Sequence, residues 1–118
     1  MSYTKNPFPT FSEARQALEW LTAAKEWVVA WRREYSLVAY TDVVGWLREQ
    51  RGAGARGGAA IREVGADGLV VVTVVALDAQ ECLLVDADGR PLAVEMMAPA
   101  LDEELTQAFG DASVVLFK

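Results

Sequence analysis

The stretch that decides the fold is residues 69–97, which read LVVVTVVAL (69–77), DAQE (78–81), CLLV (82–85), DADGRP (86–91) and LAVEMM (92–97). β-Branched residues dominate the first run, and only Thr73 interrupts its apolar character, as in a central strand covered on both faces. Asp88-Gly89 has the composition of a tight hairpin turn, in which Gly89 supplies the positive φ. The stretch therefore predicts an antiparallel meander with strands over 69–77, 82–87 and 92–97.

Segments on both sides extend this sheet. Residues 61–64 are joined to the central run by Ala66-Asp67-Gly68, which predicts another hairpin. Residues 98–109 open with a proline and acidic side chains, a pattern that favours a short helix ended by Gly110. Residues 113–117 read SVVLF and predict a final strand that returns to the sheet.

A long helix is predicted ahead of the sheet. Residues 1–9 contain Asn-Pro-Phe-Pro and form an extended lead-in, because each proline disfavours helix before it. Thr10 and Glu13 match a capping box at the start of the helix. The chain then holds neither Gly nor Pro to about Glu34, where we expect the helix to end.

The second helix is less sharply defined by the sequence. Residues 36–41 suit both a strand and a helix, because they are β-prone and also keep helical spacing of apolar residues. Ser36 or Thr41 would cap the helix, which we expect to end near Gln50. Residues 52–58 (GAGARGG) then form a Gly-rich connector.

Together these segments predict one α+β domain over residues 1–118. Its two N-terminal helices pack on a four- or five-stranded, mainly antiparallel sheet, and a short helix precedes the last strand. A chain of 118 residues is long enough to bury one core. The first helix would cover one sheet face, so the other face needs cover from the second helix, the short third helix or another subunit.

Three tryptophans mark the predicted first helix. Trp20, Trp27 and Trp31 fall within about 40° of each other on a helical wheel, beside a separate aliphatic flank. Tryptophan lines domain cores and is also enriched at binding hot spots. The Trp flank is therefore either part of this domain's own core or a surface for a partner or a second copy.

Charge is unevenly distributed along the chain. Residues 1–77 carry nine Lys/Arg and eight Asp/Glu (net +1), whereas residues 78–118 carry two and nine (net −7), which together give −6. An acidic half repels phosphate backbones, so we expect no nucleic-acid partner. It attracts basic proteins, with Asp102, Glu103 and Glu104 as candidate contacts. The alternative is a surface that is acidic only for solubility.

The one basic region surrounds the connector. Gly52, Gly54 and Gly57 give a formal G-x-G-x-x-G, but a helix rather than a strand is predicted to enter it, which excludes a dinucleotide-binding unit. Arginine side chains there can still bind a phosphate or carboxylate. The candidate anion-binding residues are Arg51, Arg56 and Arg62; the alternative is a solvated connector.

Catalytic and metal chemistry have few candidate residues. The chain contains no histidine and one cysteine, Cys82, which removes His-assisted nucleophiles and zinc sites. Cys82 lies in a predicted strand and is expected to be a buried thiol. An acidic cluster could bind Mg²⁺, but the EF-hand spacing is missing and turn formation explains its aspartates better. That cluster comprises Glu81, Asp86, Asp88 and Glu95.

These observations favour a small acidic, non-catalytic protein-binding module, such as an inhibitor, an immunity or antitoxin-like protein, or an adaptor. Its partner would be a basic protein or a second copy of itself, and no cofactor or metal is expected. The alternative is a small-molecule-binding domain or carboxylate-dependent enzyme with a pocket between the Trp-rich helix and the sheet. Since no apolar run reaches about 18 residues and the start does not resemble a signal peptide, we expect a cytoplasmic protein without membrane association.

Overall fold

The computed structural model describes residues 32–80, 84–87 and 92–117. Their elements follow in the order β1 (Arg32–Glu34), α1 (Tyr40–Glu49), a 3₁₀ turn (Gln50–Ala53), β2 (Gly57–Val64), β3 (Val70–Leu77), β4 (Ala93–Ala98), α2 (Glu103–Phe109) and β5 (Val114–Phe117). The fold is a mixed α+β arrangement with a five-stranded sheet and two helices in the described part. Neither described helix is long and apolar enough to cross a bilayer.

The sheet is mixed, so the prediction of a mainly antiparallel sheet is wrong. Its strand order is β1-β4-β3-β2-β5. The strands β2, β3 and β4 form an antiparallel meander and β5 adds antiparallel to β2, but β1 runs parallel to β4. This parallel pair lies at the edge of the sheet, where β1 hydrogen-bonds to β4. Just beyond β1, the Tyr35 N–H donates to the Met97 carbonyl at 2.8 Å.

The predicted helix positions are correct only in part. The helix α1 precedes the meander, but α2 lies after β4, so the two described helices are not both N-terminal. The short helix before the last strand is confirmed as α2. The long first helix was predicted to reach Glu34, yet β1 occupies Arg32–Glu34. The rest of the segment for which that helix was predicted, with Trp20, Trp27 and Trp31, lies outside the described residues.

The predicted hairpin between β2 and β3 is confirmed. Val64 pairs with Val70, and the turn is closed by the Gly65 N–H donating to the Leu69 carbonyl at 2.8 Å. Gly68 has a φ of 82°, which a residue with a side chain adopts at a cost. The Asp67 carboxylate accepts the Leu69 N–H at 3.1 Å and fixes the turn further.

The strand predicted over 82–87 is wrong for its described part. Residues 84–87 belong to none of the five strands. Leu84 is nevertheless tied to the sheet, because its N–H donates to the Ala76 carbonyl and its own carbonyl accepts from Leu92. The predicted Asp88-Gly89 turn and Cys82 lie outside the described residues.

Two glycines begin β2, and the second of them, Gly58, lies where α1 packs closely on the sheet. The segment 52–58 holds the end of the 3₁₀ turn, a left-handed Gly54 and the first two residues of β2. A Cβ at Gly58 would clash with Cδ2 of Leu47 and lie 2.6 Å from the Val75 carbonyl oxygen. The absence of a side chain at Gly58 therefore lets α1 approach the strand.

Alternation along the strands divides the sheet into two faces. Val72, Val74 and Ala76 of β3 point towards α1 and α2, which cover what we call the helix-covered face. The opposite side, called the second face, is buried too, and no apolar residue of its cluster is more than 7% exposed. That cluster consists of sheet residues only and includes none from α1 or α2: Ala59, Ile61, Val75, Leu77, Ala93, Val114 and Leu116.

Candidate functional site

Asp102, one of the predicted partner contacts, is turned into the fold. It is the N-cap of α2, and its Oδ1 accepts the Leu105 N–H at 2.8 Å. The same carboxylate accepts the Tyr40 N–H, in the first turn of α1, at 3.2 Å from Oδ1. One side chain thus satisfies backbone donors at the starts of both helices.

Backbone hydrogen bonds hold this junction in place. Val38 and Leu101 form an isolated parallel bridge just before the two helices. The Val38 N–H donates to Ala100 at 3.2 Å, and the Asp102 N–H donates to Val38 at 2.9 Å. The half-buried carboxylate of Asp102 therefore holds the starts of the two helices together.

Glu103 and Glu104, the other two predicted acidic contacts, are exposed on the first turn of α2. Glu103 accepts a hydrogen bond from Gln107 one turn later at 3.3 Å. Asp111 is also exposed, just beyond the end of the helix. Since α2 contains no Lys or Arg, we call the surface of its first turn, with Glu103 and Glu104, the acidic face; Asp111 lies beyond its other end.

The three predicted anion-binding arginines lie in different settings. Arg51 is exposed in the 3₁₀ turn, and Arg56 is exposed just before β2. Arg62 is half-buried near the other end of β2, about 20 Å from Arg56 at the usual rise of a strand. Arg62 therefore does not share a site with Arg56.

The Arg62 guanidinium binds the end of α2. Its Nη2 donates to the carbonyls of Gly110 at 3.2 Å and Ala112 at 3.1 Å, and its centre lies 5.0 Å from the centroid of the Phe109 ring. Carbonyls left unpaired at a helix C-terminus attract cations. Arg62 thus donates to carbonyls after the end of α2, as Asp102 accepts a backbone N–H at its start.

Arg56 lines a depression at the end of the sheet where β2 begins and β3 and β5 end. The volume is about 290 Å³, and the lining consists of Arg56, Gly57, Leu77, Asp78, Ala79, Leu116 and Phe117. Arg56 Nη1 donates to the adjacent Ala55 carbonyl at 2.9 Å, and Asp78 Oδ1 accepts the Gln80 N–H at 2.8 Å. An apolar floor with one cationic and one anionic side chain can hold a small charged molecule.

A polar row on the second face was missed by sequence reasoning. Glu95 pairs across the sheet with Thr73 on one side and Arg32 on the other. Arg32 Nε lies 2.9 Å from Glu95 Oε1, and the Glu95 side chain is only 6% exposed. Thr73 Oγ1 is buried and has no hydrogen-bond partner among the described residues. The signal in the sequence was Glu95 itself, a single charge inside an apolar strand.

The acidic cluster considered from the sequence is not assembled in the described part. Glu95 pairs with Arg32, whereas Glu81 and Asp88 lie outside the described residues. Across residues 32–80, 84–87 and 92–117, no three His, Cys, Asp or Glu side chains are grouped to hold a metal ion. No protein-family model, no curated protein and no solved structure matches this chain.

Proposed function

We propose that this protein is a small acidic, non-catalytic protein-binding module that acts as an inhibitor, an immunity or antitoxin-like protein, or an adaptor. The observation that carries the proposal is the acidic face, with Glu103 and Glu104 exposed on the first turn of a helix whose own residues include no Lys or Arg. Its partner is a protein with a basic surface, because opposite potentials attract and orient two surfaces during encounter.

The acidic face is carried by a helix that is fixed at both ends. Asp102 caps the start of α2 and Arg62 holds the carbonyls after its end. A rigid helix presents its charges without an ordering cost on binding, which favours affinity. This support for binding comes from the fold around the helix rather than from the number of carboxylates alone.

The test is capture of a basic partner by the full chain, followed by affinity measurement with the purified partner at several salt concentrations. The double variant Glu103→Lys, Glu104→Lys reverses the acidic face and leaves Asp102 in place. We expect it to slow association at least about tenfold and to flatten the salt dependence, since steering charges act mainly on the association rate. The matched control, Glu49→Lys on the exposed end of α1, makes the same kind of change elsewhere. Binding that ignores both salt and the reversal would remove the proposal.

Self-association is the other form of partner binding that the sequence favours. A second copy would bring tryptophans of the predicted first helix together, and Trp20, Trp27 and Trp31 remain predicted contacts for that case. Light scattering over a wide range of concentrations decides between a homodimer and a monomer. A monomer at the highest concentration leaves the basic protein as the partner.

A second candidate function is the binding of a small anionic molecule in the depression beside Arg56. The observation in its favour is the combination of Arg56 with the apolar side chains of Leu77, Leu116 and Phe117. This depression lies at the end of the sheet. Thermal stabilisation by small carboxylates or phosphates that vanishes in Arg56→Ala, and persists in Arg51→Ala, would favour it. No stabilisation across such a panel would exclude it for those ligands.

A further inference from the structure

Two side chains of opposite charge line the depression at the end of the sheet where β2 begins. Arg56 is exposed and Asp78 is half-buried, and both belong to the lining. Their backbones lie close together, because the Arg56 N–H donates at 2.9 Å to the carbonyl of Leu77, the residue before Asp78. One cation and one anion are therefore held around one small volume.

These two charges are not paired with each other. Arg56 Nη1 donates at 2.9 Å to the carbonyl of its neighbour Ala55, and within the described part of the chain Arg56 forms no ion pair with Asp78. The Asp78 carboxylate is oriented by its own turn, in which Oδ1 accepts the Gln80 N–H at 2.8 Å. A guanidinium has several N–H donors and an ionised carboxylate can accept several hydrogen bonds, so neither of these bonds uses up its group. A ligand that carries both charges can therefore contact Arg56 and Asp78 together.

The rest of the lining limits the size and polarity of such a ligand. The volume of about 290 Å³ is near the lower end of the range for ligand pockets, about 300–1,000 Å³. The apolar side chains of the lining include those of Leu77, Leu116 and Phe117. The matching ligand is a small molecule with a cation, an anion and an apolar group, and an α-amino acid with an apolar side chain has all of these.

We propose that the depression binds a free α-amino acid with an apolar side chain. Arg56 contacts the α-carboxylate, Asp78 contacts the α-ammonium group, and the apolar lining receives the side chain. The inference rests on the second candidate function, the binding of a small molecule beside Arg56, and replaces the anion by a zwitterion. The terminus of a protein chain carries only one of the two charges, so this pair of side chains favours the free amino acid over a peptide end.

The test is isothermal titration calorimetry of the full chain with ligands that share one side chain. L-Leucine carries both charges, N-acetyl-L-leucine lacks the ammonium group, and L-leucinamide lacks the carboxylate. We expect L-leucine to bind at least about tenfold more tightly than either analogue, because each analogue loses one charge-assisted contact. L-Alanine should bind more weakly than L-leucine, since it buries less apolar surface.

Substitutions at the two charges separate their roles. Arg56→Gln is expected to weaken L-leucine binding about tenfold or more and to leave L-leucinamide unchanged, whereas Asp78→Asn weakens L-leucine and leaves N-acetyl-L-leucine unchanged. Asp67→Asn is the matched control for Asp78, because each of these carboxylates accepts the N–H two residues later, at opposite ends of β3. Arg51→Gln is the control for Arg56, since Arg51 is exposed and does not line the depression. Both controls should bind L-leucine as the unsubstituted chain does.

The comparison of ligands also separates this inference from the function on which it rests. N-Acetyl-L-leucine that binds as tightly as L-leucine, with no effect of Asp78→Asn, would overturn the zwitterion and leave an anion site beside Arg56. No binding of L-leucine at millimolar concentration would overturn the inference as well, and the panel of carboxylates and phosphates then decides the second candidate function separately. The ligand series uses the unsubstituted chain, so it decides the matter if a variant does not fold.

Discussion

The carboxylate of Asp102 accepts the backbone N–H of Tyr40 from 62 residues away, at 3.2 Å from Oδ1 and 3.3 Å from Oδ2. Oδ1 also accepts the N–H of Leu105 at 2.8 Å. Each helix begins with N–H groups that no preceding turn can satisfy. A single carboxylate shared by two helix starts therefore couples α1 to α2, and the loss of one side chain is felt by both.

Replacement of Asp102 by alanine is predicted to lower the free energy of unfolding by about 2 kcal/mol, since it removes an acceptor from the starts of two helices and each lost cap costs about 1 kcal/mol. Asp102→Asn keeps an acceptor oxygen and should cost much less. Urea denaturation measures both. Glu104→Ala, two residues along and exposed, is the control and should change little. Equal effects of Asp102→Ala and Glu104→Ala would contradict the shared cap.

Arg62→Ala is predicted to destabilise the protein by about 1–2 kcal/mol, because it removes two hydrogen bonds to carbonyls after α2 and the contact with the Phe109 ring. Arg62→Lys keeps the positive charge but lacks the planar guanidinium. Its stability should therefore lie between that of the unsubstituted protein and that of Arg62→Ala. Thermal unfolding of both variants is compared with that of Arg56→Ala. The Arg56 side chain donates only to the carbonyl of its neighbour Ala55 among the described contacts. A larger loss in Arg56→Ala would refute this assignment.

Local patterns were sufficient to predict the centre of this fold. The apolar run with a single Thr73 gave β3, the Ala66-Asp67-Gly68 turn gave its hairpin with β2, and acidic residues before an apolar stretch gave α2. Each of these signals lies within a few residues of the element it specifies. Such elements follow from propensity and periodicity without knowledge of distant contacts.

The features that were missed depend on distant residues. Arg32-Arg33-Glu34 is exposed and charged, and it forms a strand because β4 offers a free edge and Glu95 pairs with Arg32. The helix α1 has Ala39 as its N-cap, which has no acceptor in its side chain. Asp102 supplies that acceptor from another element, so the predicted caps at Ser36 and Thr41 were not needed.

Replacement of glycine by alanine is predicted to change the stability in opposite directions at Gly58 and Gly45. Gly58→Ala is expected to cost about 2 kcal/mol or more, because the new Cβ meets Leu47 and lies 2.6 Å from the Val75 carbonyl, which is backbone and cannot rotate away. Gly45→Ala, inside α1 with nothing within 4 Å of its Cβ, should stabilise by about 0.5–1 kcal/mol. Urea denaturation of the two single variants gives the comparison. Stabilisation by both substitutions would show that α1 does not pack closely on β2.

Thr73→Val is predicted to raise the free energy of unfolding by about 1 kcal/mol, because it replaces a buried hydroxyl that lacks a partner among the described residues by a methyl group of similar size. Thr106→Val is the matched control, since its hydroxyl donates to the Asp102 carbonyl at 2.8 Å and its loss should not stabilise. Both are measured by thermal and urea unfolding. A loss of stability in Thr73→Val would mean that the hydroxyl is bonded by a polar group from outside the described residues.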